Sequence, residues 1–465
     1  MSATPDDKPS ETASTAAIPN VLPDWPEQQL RGHKIEGRRY TSRDFFDQEW
    51  ESMWTKVWLL LGRESEMPEP GDWQREDVGP ESILMVRQDD KSIKAFYNVC
   101  QHRGNRLVSE EKGNVSRFVC KYHSWAFMRN GVLNFAPDAE DFPEGNPCGK
   151  VTLAELPCES FAGFIWVNMD PSPEVGLREY LGPIWDDWQR YEVEKWKRYV
   201  ALTTVLPCNW KVVLDNFNES YHVPTVHKPA PEPRSMEGKP KRMHAGIDTR
   251  YQNTRFDLSD EGHNRMIMRG GYAGPAVDDE GAIHEPFASV LREWEIDPDE
   301  FKGRGQDTRR ALQVAQRKLG PDRGYTHYEN MADEQFTDAC HYTLFPNFAV
   351  SIWSDGFHFL RARPHATDPE QCVFDNWWYA SQPEGETSLV RTTAGIFERD
   401  AENSHDVFAF GEKSMGLTID QDSAIFTQQQ LGFRSRGFTG VYLSRQESRV
   451  RRFHEVIDDY IEGRR

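Results

Sequence analysis

The sequence predicts an α+β chain of two domains, a small all-β domain followed by a larger one that mixes strands with helices. Three observations predict it. At 465 residues the chain is longer than the ~250–300 residues at which a single core stops growing. Residues 61–170 hold short β-type runs at 82–87, 93–99 and 163–168, broken by Pro, Gly and Asp-Asp turns. Beyond them, strand-like runs at 199–206 and 341–396 give way to helical patterns that close the chain.

Taken in order, residues 1–20 lack both a basic n-region and an apolar h-region, so they are no signal peptide, and 1–40 is predicted as a flexible tail. Residues 40–60 predict a helix capped by Thr41 or Ser42, with Phe45, Trp50, Met53, Trp54 and Trp58 at helical spacing. The β domain then occupies 41–175 together with that helix. A helical segment at 177–191 follows the Pro171–Pro173 junction and opens the second domain, 176–465. Residues 209–222 predict a helix. From 228 to 339 the chain is polar and Gly/Pro-rich, which predicts a long excursion over the second domain, a lid or a solvated insertion. Strands are predicted at 342–353, 358–363, 372–380 and 388–396, helices at 399–413 and 418–431, and a basic C-terminal helix ends the chain.

Composition narrows the class. Apolar residues make up 37% and aromatics 12%, with 15 Trp, which excludes a disordered chain and predicts dense cores. A net charge of −20 argues against nucleic-acid and anionic-membrane binding. No apolar run reaches the ~18 residues of a membrane span. Seven cysteines are too few for a disulfide scaffold. The expectation is a cytoplasmic protein in which paired Cys and His hold metal.

Cys100-x-His102, seventeen residues, then Cys120-x-x-His123 place one thiolate and one imidazole at the tip of each of two β-type runs. Two thiolates and two imidazoles suffice for a tetrahedral zinc or a [2Fe–2S] cluster. One Cys and one His per loop suits a cluster whose inner iron takes both thiolates and whose outer iron takes both imidazoles. Cys148, Cys158, Cys208, Cys340 and Cys372 have no paired His and are expected to be packed thiols. The segment resembles a Rieske iron–sulfur domain, with signature C-x-H-R-G…C-x-Y-H-x-W. Cys100, His102, Arg103, Gly104, Cys120, Tyr122, His123 and Trp125 match it, while Lys121 stands where Pro is usual and Ser124 where Gly is usual.

In 208–227, CNWKVVLDNFNESYHVPTVH, a continuous helix would put Asp215, Glu219 and His222 on one polar stripe, and Pro224 would end it and turn His227 toward His222. Two His and one carboxylate with open positions form the triad of non-haem Fe(II) oxygenases. The segment resembles the catalytic domain of Rieske oxygenase α subunits, pattern N-x-x-[D/E]-x-Y-H-x4-H, matched by Asn216, Glu219, Tyr221, His222 and His227. The resemblance implies that His222 and His227 bind mononuclear iron, and that Glu219 links His222 to a neighbouring subunit's residue equivalent to His123. A later helix of form D-x-x-[apolar]-x-x-x-x-Q-x-G, matched by Asp422, Ile425, Gln430 and Gly432, implies Asp422 as third ligand, with Asp420 its rival.

For the whole chain the resemblance implies a catalytic domain of helix-grip type, an antiparallel sheet wrapped around a long helix. It also implies a terminal oxygenase that takes electrons from NAD(P)H through a reductase, directly or via a ferredoxin. The substrate expected is aromatic or otherwise hydrophobic, mono- or cis-dihydroxylated as in aromatic hydrocarbon catabolism, with Glu219 and Asn216 as catalytic residues. Quaternary ammonium oxidation or N-/O-dealkylation is the alternative, and a non-catalytic electron carrier or zinc-stabilised binding protein is the alternative of another class. The implied assembly is a head-to-tail homotrimer, with or without a β subunit. Phe217, Asn216, Met266, Met268, Phe345, Phe348 and Trp353 are candidate pocket residues.

Overall fold

The computed structural model describes residues 21–227, 254–269, 281–285, 287–383, 389–392, 395–401 and 404–465, with the backbone alone for 389–397. Residues 1–20 of the expected tail and part of the expected excursion lie outside them.

The N-terminal β domain is built from three small antiparallel sheets. Its central strand, Glu81–Arg87, carries the unbroken apolar run Ile83–Val86 and pairs on both edges. The run is continuous because both of its faces are covered. Ile83 and Met85 enter the main core, while Leu84 and Val86 enter a second, separate core that also holds Cys100, Cys120, Phe118 and Trp125.

The second domain carries an eight-stranded sheet. Its order is Thr254–Leu258, Asn264–Met268, Ala339–Leu344, Phe348–Ile352, Gly356–Pro364, Cys372–Ala380, Lys197–Leu206 and Asp406–Phe408. All neighbours are antiparallel except the last pair. The β domain sits on the back face. There Arg361 donates to the Leu60 carbonyl, Glu76 and Asp375, and Arg363 donates to the Asp77 carbonyl and Asp375. On the front face lies the helix Trp210–Phe217, whose Phe217 ring stacks near Phe374. A long helix, Leu417–Phe433, packs beside it, burying Ile419, Asp422, Ser423, Phe426 and Gln430 on one stripe. Gln430 ties the two helices together: its carbonyl accepts from the Asn209 backbone N–H, and its amide donates to the Tyr40 carbonyl. No helix among the described residues is long and apolar enough to cross a membrane.

Four local expectations change. Residues 21–40 pack onto the second domain, with Leu22, Trp25 and Ile35 buried and the Trp25 backbone N–H donating to Asp257 Oδ1. The 40–60 helix stops by Trp54; Trp58–Arg63 is a strand because its apolar run pairs with Phe164–Asn168. Tertiary pairing overrides helical spacing here. In place of a 399–413 helix, Asp406–Phe408 joins the sheet edge, and His405 bonds to Thr203 Oγ1 at 2.8 Å. Within the expected excursion, Thr254–Leu258 and Asn264–Met268 extend the sheet itself, and Leu291, Leu312, Tyr328 and Met331 are buried in the main core.

Candidate metal centres

The two Cys/His loops are copies of one turn. The Cys100 N–H donates to the Asn105 carbonyl and the Gly104 N–H to the Cys100 carbonyl, at 2.8 and 3.0 Å. The Cys120 N–H likewise donates to Trp125 and the Ser124 N–H to Cys120, at 2.8 and 3.0 Å. The turns bring the thiols together beneath the imidazoles, and burial, with the Cys120 thiol beside it, pushes the Cys100 thiol up. The His102 and His123 rings stand 4.6 Å apart; His102 stacks on Trp125 at 4.7 Å, and His123 lies against the exposed Tyr122. The buried Nδ1 of His102 has no hydrogen-bond partner, as a ligand atom facing a metal would.

Four ligands on one zinc, at ~2.0–2.3 Å each, crowd within about 4 Å of one another. Among the described residues, His222, His227 and Asp422 form the one group of three or more Cys, His or acidic ligand atoms all within 4.8 Å. The Cys100, His102, Cys120 and His123 donors do not form such a group.

The second centre forms where the helix Trp210–Phe217 ends. Asn218 leaves the helix because its buried side-chain oxygen accepts from both Asn264 Nδ2 and Thr343 Oγ1 on the sheet. The expected stripe through Asp215 therefore does not form. Asp215 instead binds the Tyr40 hydroxyl at 2.5 Å and His454 Nε2 at 3.0 Å. Pro224, expected to end a helix, starts the short helix Val223–Val226, which separates His222 from His227. The two imidazoles still meet at one carboxylate, with His222 Nε2 3.5 Å and His227 Nε2 3.3 Å from Asp422 Oδ1.

Asp422 is 1% exposed and its Oδ1 accepts no hydrogen bond. Burial pushes its carboxyl up to about 6, against the opposing pull of His227 and His222. Asn216 lies beside it, and its side chain hydrogen-bonds the carboxylate, which also opposes the rise. An unpartnered buried carboxylate oxygen facing two imidazole nitrogens is the donor set a divalent cation takes. Asp420 is engaged elsewhere, accepting from Ser414 Oγ and the Met415 N–H at the helix start.

Behind each imidazole stands an acceptor. Glu219 Oε1 is 2.5 Å from His222 Nδ1, while its Oε2 accepts the backbone N–H groups of Tyr221 and His222. Burial lowers the His222 pKa, but the Glu219 hydrogen bond and charge outweigh it and leave it raised. Gln421 Oε1 is 3.0 Å from His227 Nδ1. The sequence reading did not single out Gln421; its only signal was being the residue before Asp422. Of the expected pocket residues, Asn216 reaches the site, whereas Phe217 packs against Phe374 and Phe426 in the main core. Phe348 points to the back face among Phe164, Trp188 and Phe359, and Phe345 packs between Phe453 and Tyr460, so both belong to the core.

Residues 57–153 match the Rieske [2Fe-2S] domain, and residues 190–463 match the ring hydroxylating alpha subunit (catalytic domain). The carnitine monooxygenase oxygenase subunit of Escherichia coli (strain K12) is 35% identical over 196 residues, 42% of this chain and 52% of that protein. Biphenyl dioxygenase subunit alpha of Paraburkholderia xenovorans (strain LB400) is 30% identical over 322 residues, 64% of each chain. The large oxygenase component of the naphthalene 1,2-dioxygenase system of Ralstonia sp is 35% identical over 204 residues, 42% of this chain and 44% of that one. The chain thus spans about half the length of the relatives it matches.

Solved structures share the fold. A quaternary ammonium Rieske monooxygenase in complex with L-carnitine gives a TM-score of 0.61 at 19% identity, covering 92% of this chain and 95% of that one. Naphthalene 1,2-dioxygenase with indole bound gives 0.61 at 21% identity, covering 93% of both. With a Rieske [2Fe-2S] domain ahead of a catalytic domain matched over more than half its length, the chain belongs to the ring-hydroxylating α-subunit family.

Proposed function

We propose that this chain is the terminal oxygenase component of a Rieske system, hydroxylating an aromatic or other hydrophobic substrate with O2. Cys100, His102, Cys120 and His123 would hold the cluster, and His222, His227 and Asp422 the mononuclear iron. The observation that carries the reading is the convergence of three protein donors on one point, with no fourth such donor among the described residues, which leaves positions open for two reactants. When bound, the cluster supplies single electrons and the iron supplies O2 activation.

The protein's own contribution is positional. Glu219 accepts the Nδ1 proton of His222 and so turns the bare Nε2 toward Asp422. Burial of Asp422 excludes water from one side of the site. Asn216 places an amide beside Asp422, where it hydrogen-bonds and orients the carboxylate. Electrons would come from NAD(P)H through a reductase, directly or via a ferredoxin, and cross from a neighbouring subunit's cluster in a homotrimer, with or without a β subunit.

The aromatic reading draws support from the biphenyl dioxygenase subunit, which aligns over 322 residues against 196 for the carnitine enzyme. A second reading, oxidation of a quaternary ammonium compound, is favoured by Glu in place of Asp at position 219 and by the carnitine relative. Turnover of a panel holding both classes with a surrogate reductase, NADH and 18O2 tests the proposal. Labelled product from an aromatic substrate supports it. Peroxide alone from every substrate contradicts the oxygenase reading, and label only in quaternary ammonium products selects the second.

A further inference from the structure

We infer that Gln421 is a positioning residue of the mononuclear centre: it fixes the tautomer and orientation of His227, so that this imidazole and Asp422 are gripped by consecutive residues of one helix. The inference rests on His222, His227 and Asp422 being the ligand set.

His227 follows the single-turn helix Val223–Val226, where its backbone N–H donates to the Val223 carbonyl at 3.1 Å. Its ring is aimed with its Nε2 3.3 Å from Asp422 Oδ1. The side chain that fixes the other ring nitrogen is Gln421, whose Oε1 stands 3.0 Å from Nδ1. Successive residues of a helix point about 100° apart. Gln421 and Asp422 therefore reach round the same imidazole, one behind it and one before it.

The direction of the proton follows from the roles. A neutral imidazole carries one N–H, and if Nδ1–H donates to the Gln421 carbonyl oxygen, Nε2 keeps its lone pair for a metal. The opposite amide orientation would present N–H to Nδ1 and force the proton onto Nε2, closing the site. The two imidazoles thus differ in what stands behind them. His222 has a carboxylate from its own loop, Glu219, and His227 has a neutral amide from the helix that carries Asp422. Outer partners of this kind are worth roughly 10–100-fold in metal affinity.

The test uses the full-length, cluster-loaded protein, its mononuclear site emptied by brief chelation and titrated anaerobically with Fe(II), and with Co(II) for its ligand-field spectrum. Gln421→Leu should weaken binding of both ions roughly 10–100-fold and alter the Co(II) spectrum, with the Rieske absorption and melting temperature unchanged. Gln421→Glu, which keeps an acceptor at the same reach, should restore the affinity and the spectrum. Wild-type affinity in Gln421→Leu, or a Gln421→Glu as weak as the Leu variant, overturns the inference. His227→Ala is the control on the ligand set: if it binds Fe(II) as wild type does, the set itself is wrong and the inference falls with it.

Discussion

Gly104 and Ser124 occupy the same place in two matching turns, each four residues after a cysteine and each left-handed, at φ +74° and +60°. Glycine adopts that conformation without penalty, whereas serine there costs about 1 kcal/mol. Ser124→Gly is therefore expected to stabilise the loop between Cys120 and Trp125 by about 1 kcal/mol. Denaturant-induced loss of the Rieske absorption band measures it, and a midpoint that stays put or falls would show the turn to be unstrained.

Glu219 faces His222 with a charge as well as an acceptor. Glu219→Gln keeps an oxygen for the imidazole N–H but removes the charge. Iron content should survive, while product formed per NADH consumed collapses as electron delivery uncouples. Normal coupling in this variant would remove Glu219 from the path between the centres.

The β domain is fastened to the back of the sheet through charge. Glu76 lies 2.8 Å from Arg361, which is itself 2.7 Å from Asp375 in a buried setting. Removing one partner of such a network typically costs about 3 kcal/mol. Glu76→Leu should lower the stability by that order in urea unfolding, and the double variant with Arg361→Met should recover part of the loss. Equal stability of Glu76→Leu and wild type would make the contact incidental.

His263 gives the fold an acid limit. Its ring is fully buried, donates from Nε2 to the Tyr180 carbonyl at 2.7 Å and accepts the Phe345 N–H on Nδ1 at 2.9 Å. Burial lowers its pKa to about 4. The unfolded chain takes up this proton below about pH 6.5 while the folded one refuses it, so stability falls as pH drops from 6.5 toward 4. The loss from this residue is about 2 kcal/mol at pH 5. His263→Gln should flatten the acid side of a melting-temperature profile; an unchanged slope would assign the acid sensitivity elsewhere.

What the sequence made legible was chemistry at short range. Cys100, His102, Cys120 and His123 sit in two loops whose spacing is local, and the structure brings those loops together. His222 and His227 were readable for the same reason, and Asp422 because Ile425, Gln430 and Gly432 follow it in the pattern of the family the chain resembles. The path between these residues was not readable. The helix stops at Phe217 because Asn218 is claimed by Asn264 and Thr343, partners 46 and 125 residues away. Asp215 was lost to Tyr40 and His454 in the same way. Trp50, Trp54 and Trp58 keep helical spacing across a real change from helix to strand, which pairing with Phe164–Asn168 imposes. Periodicity cannot register partners that far along the chain.

The central claim is that one chain holds a Rieske cluster and, separately, a mononuclear iron on His222, His227 and Asp422. Iron analysis with EPR of Asp422→Ala tests it most directly. The account predicts the loss of one iron per chain with the Rieske signal unchanged. A variant that keeps its full iron complement, or loses the Rieske signal together with the iron, would contradict it.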